Sequence, residues 1–371
     1  LVNNVCHVGH CHPHVVEAGQ RQMALLNTNS RYVYEGLTHY LSRLSSTLPD
    51  TLSIGFLVNS GSEANELAVR LARRHAGTKN MAVIEGAYHG HTGTMIDLSP
   101  YKFRGPGGSG EPEPWVTVLP IPDQFRRPQI DFCTEATQVL EDSGGVAALL
   151  IETMLSCAGQ IPLPEGYLAA TAESVRSHGG LLIADEVQVG FGRVGAQMWA
   201  FEESGVIPDM VILGKPMGNG HPMGALFTTP KIASALDGME FFSTFGGNPV
   251  SCAIGMAVLD VIEREGLLNK AKQLGDYFTR GLKQLQTTHT AIGDVRGRGL
   301  FLGIDVVRDR DTLDPAPDLA HTIVDGMREM GVLLSTDGPL NNVIKIKPPM
   351  VLSEEDIDDS LAKLDTLLSK L

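Results

Sequence analysis

The sequence predicts an α/β protein: a largely parallel sheet covered by helices on both faces, followed by a smaller C-terminal α+β domain. Three observations predict it. Short apolar runs alternate with amphipathic stretches between about residues 55 and 230. Beyond that region the helical and strand-like segments separate. Glycine is plentiful, at 41 of 371 residues, while aromatics make up only 6%, which favours tightly packed helix-on-sheet layers over an aromatic-rich sandwich.

The apolar runs are GFLVNS (55–60), MAVIEG (81–86), WVTVLP (115–120), AALLIE (147–152), LLIADEV (181–187), MVILGK (210–215) and GALFTT (224–229). Segments 63–75 and 167–178 lie between them with helical periodicity, so strands alternate with helices and a parallel sheet follows. Residues 100–114 are rich in Gly and Pro and read as a surface loop. After a Gly/Asn-Pro turn at 246–249, one long helical pattern runs from about 250 to 286. A strand-like VRGRGLFLGIDV, a helix near 319–330, a strand pair around VLLST and NVIKIKP, and a closing helix at 353–371 complete the chain. The expected division is an N-terminal segment 1–26, a large domain 27–264 and a small domain 265–371.

With 29 Lys+Arg against 43 Asp+Glu the net charge is −14, which argues against a broad electrostatic footprint for nucleic acid or an anionic membrane. An anionic substrate therefore needs a local basic pocket. Five irregularly spaced cysteines do not make a disulfide framework, and a reducing cytoplasm suits them. No apolar run reaches bilayer length and no signal peptide is visible. The chain starts at Leu1 without Met, so N-terminal residues are expected to be missing.

Unusual polar residues follow the strands repeatedly, and ligands of open α/β sheets sit beyond the carboxyl ends of strands. N-S-G-S-E-A-N at 59–65 opens a helix, where small Gly61 and Ser62 let backbone amides approach a phosphate; a simple helix cap fits equally. In E-G-A-Y-H-G-H-T at 85–92, Tyr88 and His89 offer a ring to stack on a heteroaromatic group, although packing is the commoner role. LLIADEVQ puts Asp185 at the end of an apolar strand. A carboxylate there is costly unless paired, and a pyridinium N–H is one suitable partner. Taken singly, an Asp capping the next turn or an acid for a metal or Mg-nucleotide is the better reading. Gln188 stands ready to donate to a ring oxygen. In MVILGKPMGNG, Lys215 ends another apolar strand amid Gly and Pro, a setting that lowers a lysine pKa and suits imine formation and proton abstraction. Thr244, in F-S-T-F-G-G-N-P, is either a phosphate donor or a turn residue.

These five motifs, in this order, resemble the class III aminotransferase family of fold-type I enzymes dependent on pyridoxal 5′-phosphate (PLP). The resemblance runs from V-G-H-C-H-P at 8–13 to K-P-P-M at 347–350. It implies a mixed, mostly parallel seven-stranded sheet and a homodimer with a shared active site. It also implies that Lys215 carries the cofactor as a Schiff base, Asp185 pairs with the pyridine nitrogen, Gln188 contacts the 3′ oxygen and Tyr88 stacks on the ring beside His89. Gly61 and Ser62 would bind the cofactor phosphate, and Thr244 that of the neighbouring subunit. Glu152 matches an acid placed near the cofactor.

N-T-N-S-R-Y at 27–32, G-K-P-M-G-N-G-H-P after the strand, and L-S-T-D-G-P with N-V-I-K-I-K-P-P-M look like the phospholyase branch, which acts on ethanolamine phosphate or 5-phosphohydroxy-lysine. V-Y-E-G-L at 33–37 departs from that pattern. Arg31, a lone guanidinium in an uncharged run, is the candidate for the substrate phosphate, with a structural salt bridge as the equal alternative. Arg296 matches an arginine that many class III enzymes use for a substrate carboxylate.

The run from Cys6 to His14 (C-H-x-x-H-C-H-x-H) has metal-ligand residue types but matches no tetrahedral spacing, and no metal is expected. Two activities compete: elimination of phosphate from a phosphorylated amine, and transfer of an amino group from an ω-amine or amino acid to a keto acid. The intact Lys215, Asp185 and Gln188 argue against a non-catalytic binding protein, and no Gly-rich nucleotide motif follows a strand.

Overall fold

The computed structural model describes residues 5–29 and 31–371. Residues 1–4 of the expected N-terminal segment, and Ser30 within N-T-N-S-R-Y, lie outside the described residues. In chain order the strands are β1 Ile54–Val58, β2 Met81–Ile84, β3 Val116–Leu119, β4 Ala148–Glu152, β5 Met154–Leu155, β6 Ile161–Pro162, β7 Leu181–Asp185, β8 Met210–Leu213, β9 Gly224–Thr228, β10 Ile292–Arg298, β11 Phe301–Asp309, β12 Asp314–Pro315, β13 Ser335–Asp337 and β14 Val343–Ile346.

Seven of them form the main sheet in the order β1-β9-β8-β7-β4-β2-β3. β9 runs antiparallel to both its neighbours, and the other pairs are parallel. The mixed, mostly parallel sheet expected from the sequence is therefore present. Its apolar runs are continuous because both faces are covered: Leu182 and Ala184 of β7 join one core and Leu181 and Ile183 the other. Each fully buried Leu or Ile there contributes about 1.5–3 kcal/mol.

The helix Gly61–Ala76 that follows β1 starts at Ser60, whose hydroxyl accepts from the Glu63 amide at 3.2 Å, and stops at Gly77 in the left-handed conformation.

A second sheet, β10-β11-β14-β13 with β12 paired to β11, packs with helices Leu267–Thr288, Pro317–Glu329 and Glu354–Leu368 around Phe278, Ile304, Ile323, Ile344, Ile357 and Leu364. Two sequence expectations need correction here. The strand-like VRGRGLFLGIDV is a hairpin, β10 to β11, because Gly299 adopts φ 52° and turns the chain. The long helical pattern at 250–286 is two helices, Pro249–Arg264 and Leu267–Thr288, parted by Gly266 at φ 61°. We propose that this break marks the boundary between the large and small domains.

At the other end of the chain, helix Pro13–Leu25 lies against Pro249–Arg264, joined by a His14–Asp260 contact of 2.9 Å. Among the described residues, no helix is long and apolar enough to cross a membrane.

Candidate active site

The parallel strands β4, β7 and β8 end on one edge of the sheet, which brings residues far apart in sequence to one place. Glu152 and Asp185 are register partners at the ends of β4 and β7, and Lys215 follows β8 by two residues. A cleft of about 310 Å³ opens on this edge, and Gly61, Ser62, Tyr88, His89, Asp185, Gln188 and Lys215 all line it. Seven of the residues singled out from sequence thus converge.

Asp185 is buried at 3% exposure, so its carboxylate needs partners. It has three: the Val187 amide donates to Oδ1 at 3.1 Å, and Asn65 Nδ2 and His89 Nδ1 reach Oδ2 at 3.0 and 2.8 Å. Asn65 also donates to the His89 carbonyl at 2.9 Å, while the His89 amide donates to the Ser99 hydroxyl at 2.9 Å. His89 therefore braces Asp185 while also lining the cleft. Asn65 was not singled out, though it sits in the same N-S-G-S-E-A-N motif; its helix turn behind Gly61 was the available signal.

Lys215 opens a tight turn, Lys215–Gly218, with φ 22°, a sparsely populated backbone value. Burial pushes its amine below the ordinary lysine range, partly opposed by the nearby Asp185, Cys157 and Glu152. The turn is clamped from the N-terminal loop: Asn219 accepts from the Val8 amide at 3.0 Å and donates to the Gly9 carbonyl at 2.9 Å. That loop is tied to the end of the second sheet through the Met350 amide and His7 carbonyl, 2.8 Å apart.

A side chain at Gly61 would press its Cβ to 2.8 Å from Val187 Cγ2, so the helix start must be bare. First-turn amides have no partner within their helix, a setting that suits an anion. Tyr88 stands at the cleft wall, edge-on to Tyr101 with centroids 5.9 Å apart. Glu152 is 1% exposed and neither oxygen completes a hydrogen bond among the described residues; the Ser156 amide gives it only a minor influence. Burial and the neighbouring Asp185 push its carboxyl well above the ordinary range.

Three expected residues lie elsewhere in the single chain. Arg296 is fully engaged: its Nε donates to the Gly159 carbonyl at 2.8 Å, and its terminal nitrogens meet Asp123 at 3.1 Å and Asp305 at 3.0 Å. It lines a separate cleft of about 510 Å³. Arg31 is exposed and stacks over Phe242 at 4.8 Å. Thr244 is exposed on the segment between β9 and helix Pro249–Arg264. The N-terminal histidines disperse: His7 lies 3.1 Å from Arg193, and His12 is 3.0 Å from Glu265.

The class III aminotransferase family model matches residues 3–368. The chain belongs to that family. A Drosophila melanogaster relative named alanine--glyoxylate aminotransferase 2-like is 49% identical, over 97% of this chain and 76% of its own. A Caenorhabditis elegans relative named ethanolamine-phosphate phospho-lyase homolog 1 is 43% identical over 99% of this chain and 84% of its own. Among solved structures, an Arthrobacter phospholyase in complex with phosphoethanolamine superposes with a TM-score of 0.94 and 40% identity, covering 100% of this chain and 90% of that one.

As a class III enzyme of fold-type I, the protein depends on PLP. Its cleft suits that group on its own evidence. The bare helix start at Gly61 fits a phosphate, the thrice-held Asp185 fits a ring N–H, and an amine depressed by burial stands on the same cleft.

Proposed function

We propose that this class III enzyme eliminates phosphate from a phosphorylated amine such as ethanolamine phosphate. One water is consumed, and acetaldehyde, ammonia and phosphate are produced. The observation that carries the reading is a deprotonatable amine, Lys215, on the same cleft as Asp185, in a chain 40% identical to a phospholyase with phosphoethanolamine bound.

When bound, PLP supplies an electron sink for the carbon next to the substrate nitrogen. The residues of the chain do the rest. Gly61 and Ser62 would hold the cofactor phosphate through backbone amides, with Tyr88 and Gln188, on the same cleft, as the residues that would hold its ring. Asp185, aimed by Asn65 and His89, keeps the ring nitrogen protonated. Lys215 first anchors the cofactor. Once displaced by substrate, its neutral amine takes the proton from the carbon bearing nitrogen. The adjacent C–O bond then breaks with its electron pair leaving on phosphate, and the released enamine takes up water to give the aldehyde and ammonia. Thr244 would reach a neighbouring subunit's cofactor in a homodimer.

The experiment is direct: incubate the PLP-loaded enzyme with ethanolamine phosphate and assay inorganic phosphate. Stoichiometric phosphate and acetaldehyde are expected. The second reading is amino transfer, favoured by the 49% identical relative named for alanine–glyoxylate aminotransferase. Absence of phosphate release, with amino transfer to pyruvate, 2-oxoglutarate or glyoxylate, would replace the first reading by the second.

A further inference from the structure

β9 is the antiparallel strand of the main sheet, so it starts where β1 stops: Gly224 is the register partner of Val58. The approach is close, because a Cβ on Gly224 would run into the Ser60 carbonyl. Residues entering β9 therefore stand beside residues leaving β1, and His221 and Gly61 line the same cleft. His221 is half-buried and has no part in the chemistry described so far.

Its hydrogen bonds fix its proton. The Ser251 amide donates to Asn248 Oδ1 at 2.9 Å, which sets the orientation of the Asn248 amide. Nδ2 of Asn248 then donates to the Phe245 carbonyl at 2.7 Å and to Ser251 Oγ at 2.8 Å. Ser251 is 3% exposed, so its hydroxyl hydrogen needs an acceptor within the protein. Among the described residues the one remaining partner is His221 Nε2, 2.9 Å away. An imidazole nitrogen that accepts carries no hydrogen, which puts the ring proton on Nδ1. That atom has no partner among the described residues and is not buried. Burial pushes the imidazole below its ordinary value, which keeps the ring neutral. His221 thus offers one N–H, held in direction through Ser251 and Asn248.

The cleft has use for such a donor. Among the described residues that line it, Lys215 is the one ammonium or guanidinium, and the proposed reaction uses that amine at the cofactor's aldehyde. A phosphate dianion at the Gly61 end must then be met by neutral N–H groups, of which the first-turn amides are two.

We propose that the Nδ1–H of His221, aimed by Ser251, is a further donor to the cofactor phosphate beside the Gly61 and Ser62 amides. The inference rests on PLP dependence and on the phosphate seat proposed above, not on whether the enzyme eliminates phosphate or transfers an amino group.

The test follows loss of bound cofactor from holoenzyme loaded with PLP or with pyridoxal, which has the same ring and aldehyde but no phosphate. Wild type should hold PLP the longer. His221→Phe should release PLP on the order of tenfold faster or more, with pyridoxal release and melting temperature unchanged. The amide nitrogen of Asn falls where Nδ1 was and that of Gln where Nε2 was. His221→Asn should therefore return PLP release to within a few fold of wild type, and His221→Gln should not. The reverse order, Gln rescuing and Asn failing, would reduce His221 to a prop for Ser251 and overturn the inference. Equal PLP release in wild type and folded His221→Phe overturns it too, as does equal acceleration for PLP and pyridoxal. A raised KM for ethanolamine phosphate with PLP release unchanged gives the donor to the substrate and has the same effect. If His221→Phe fails to fold, the comparison of Asn with Gln decides. Wild type that loses PLP and pyridoxal at one rate removes the phosphate seat at Gly61 itself, whereas preferential retention of PLP with a silent His221→Phe removes His221 alone.

Discussion

Asp185 and Glu152 end neighbouring parallel strands in register, both almost fully buried, yet they live in opposite surroundings. Asp185 is gripped by Val187, Asn65 and His89. Glu152 completes no hydrogen bond among the described residues. Burial alone does not decide what a carboxyl does; the donors aimed at it do. The first acid is oriented toward the cleft. The second is pushed toward its neutral form by burial and by the first.

Changes around the two acids break or sharpen that contrast. The largest effect belongs to the amine both acids influence: Lys215→Ala should cost about 10²–10⁴-fold or more in turnover, and borohydride should no longer fix the cofactor to the chain. Asp185→Asn should lower turnover on the order of 10²-fold while the protein stays folded, read from steady-state rates beside a melting curve. Asn65→Ala and His89→Ala each leave the buried Asp185 short of a donor and should cost about 1–3 kcal/mol, measured by urea unfolding, with weaker cofactor retention.

The smallest effect is at Glu152. A carboxyl raised in the folded state stabilises the fold most at low pH and loses that contribution as pH climbs from the ordinary carboxylate range through the raised value. In the cofactor-free protein, Glu152→Gln should remove the decline. The variant should gain on wild type between about pH 5 and about pH 8, about 2–4 °C per kcal/mol. Parallel melting curves for the two proteins across that range would contradict the unequal treatment of the two acids.

Much of this was legible in the chain itself. Each sheet strand is an apolar run, and for all but the antiparallel β9 the polar residue after it falls on one shared carboxyl edge. That is why Gly61, Ser62, Tyr88, Asp185, Gln188 and Lys215 could be grouped before any coordinates. The hairpin at Gly299 and the break at Gly266 were hidden because a left-handed glycine interrupts a periodic pattern without changing its composition. The engagement of Arg296 was invisible because Asp123 and the Gly159 carbonyl come from distant segments, and Asp305 meets it only through the hairpin of β10 and β11. The contact of His89 with Asp185 was invisible because adjacency to Tyr88 says nothing about which partner an imidazole meets.

The Asn219 clamp carries a practical lesson for anyone engineering this enzyme. Residues 8 and 9 hold the turn that carries Lys215, so shortening the polypeptide past Gly9 would unpin that turn while taking only Val5 from the cleft lining. Such a variant should remain folded, yet hold Lys215 with slack, and should be recognised by slow cofactor capture rather than by aggregation.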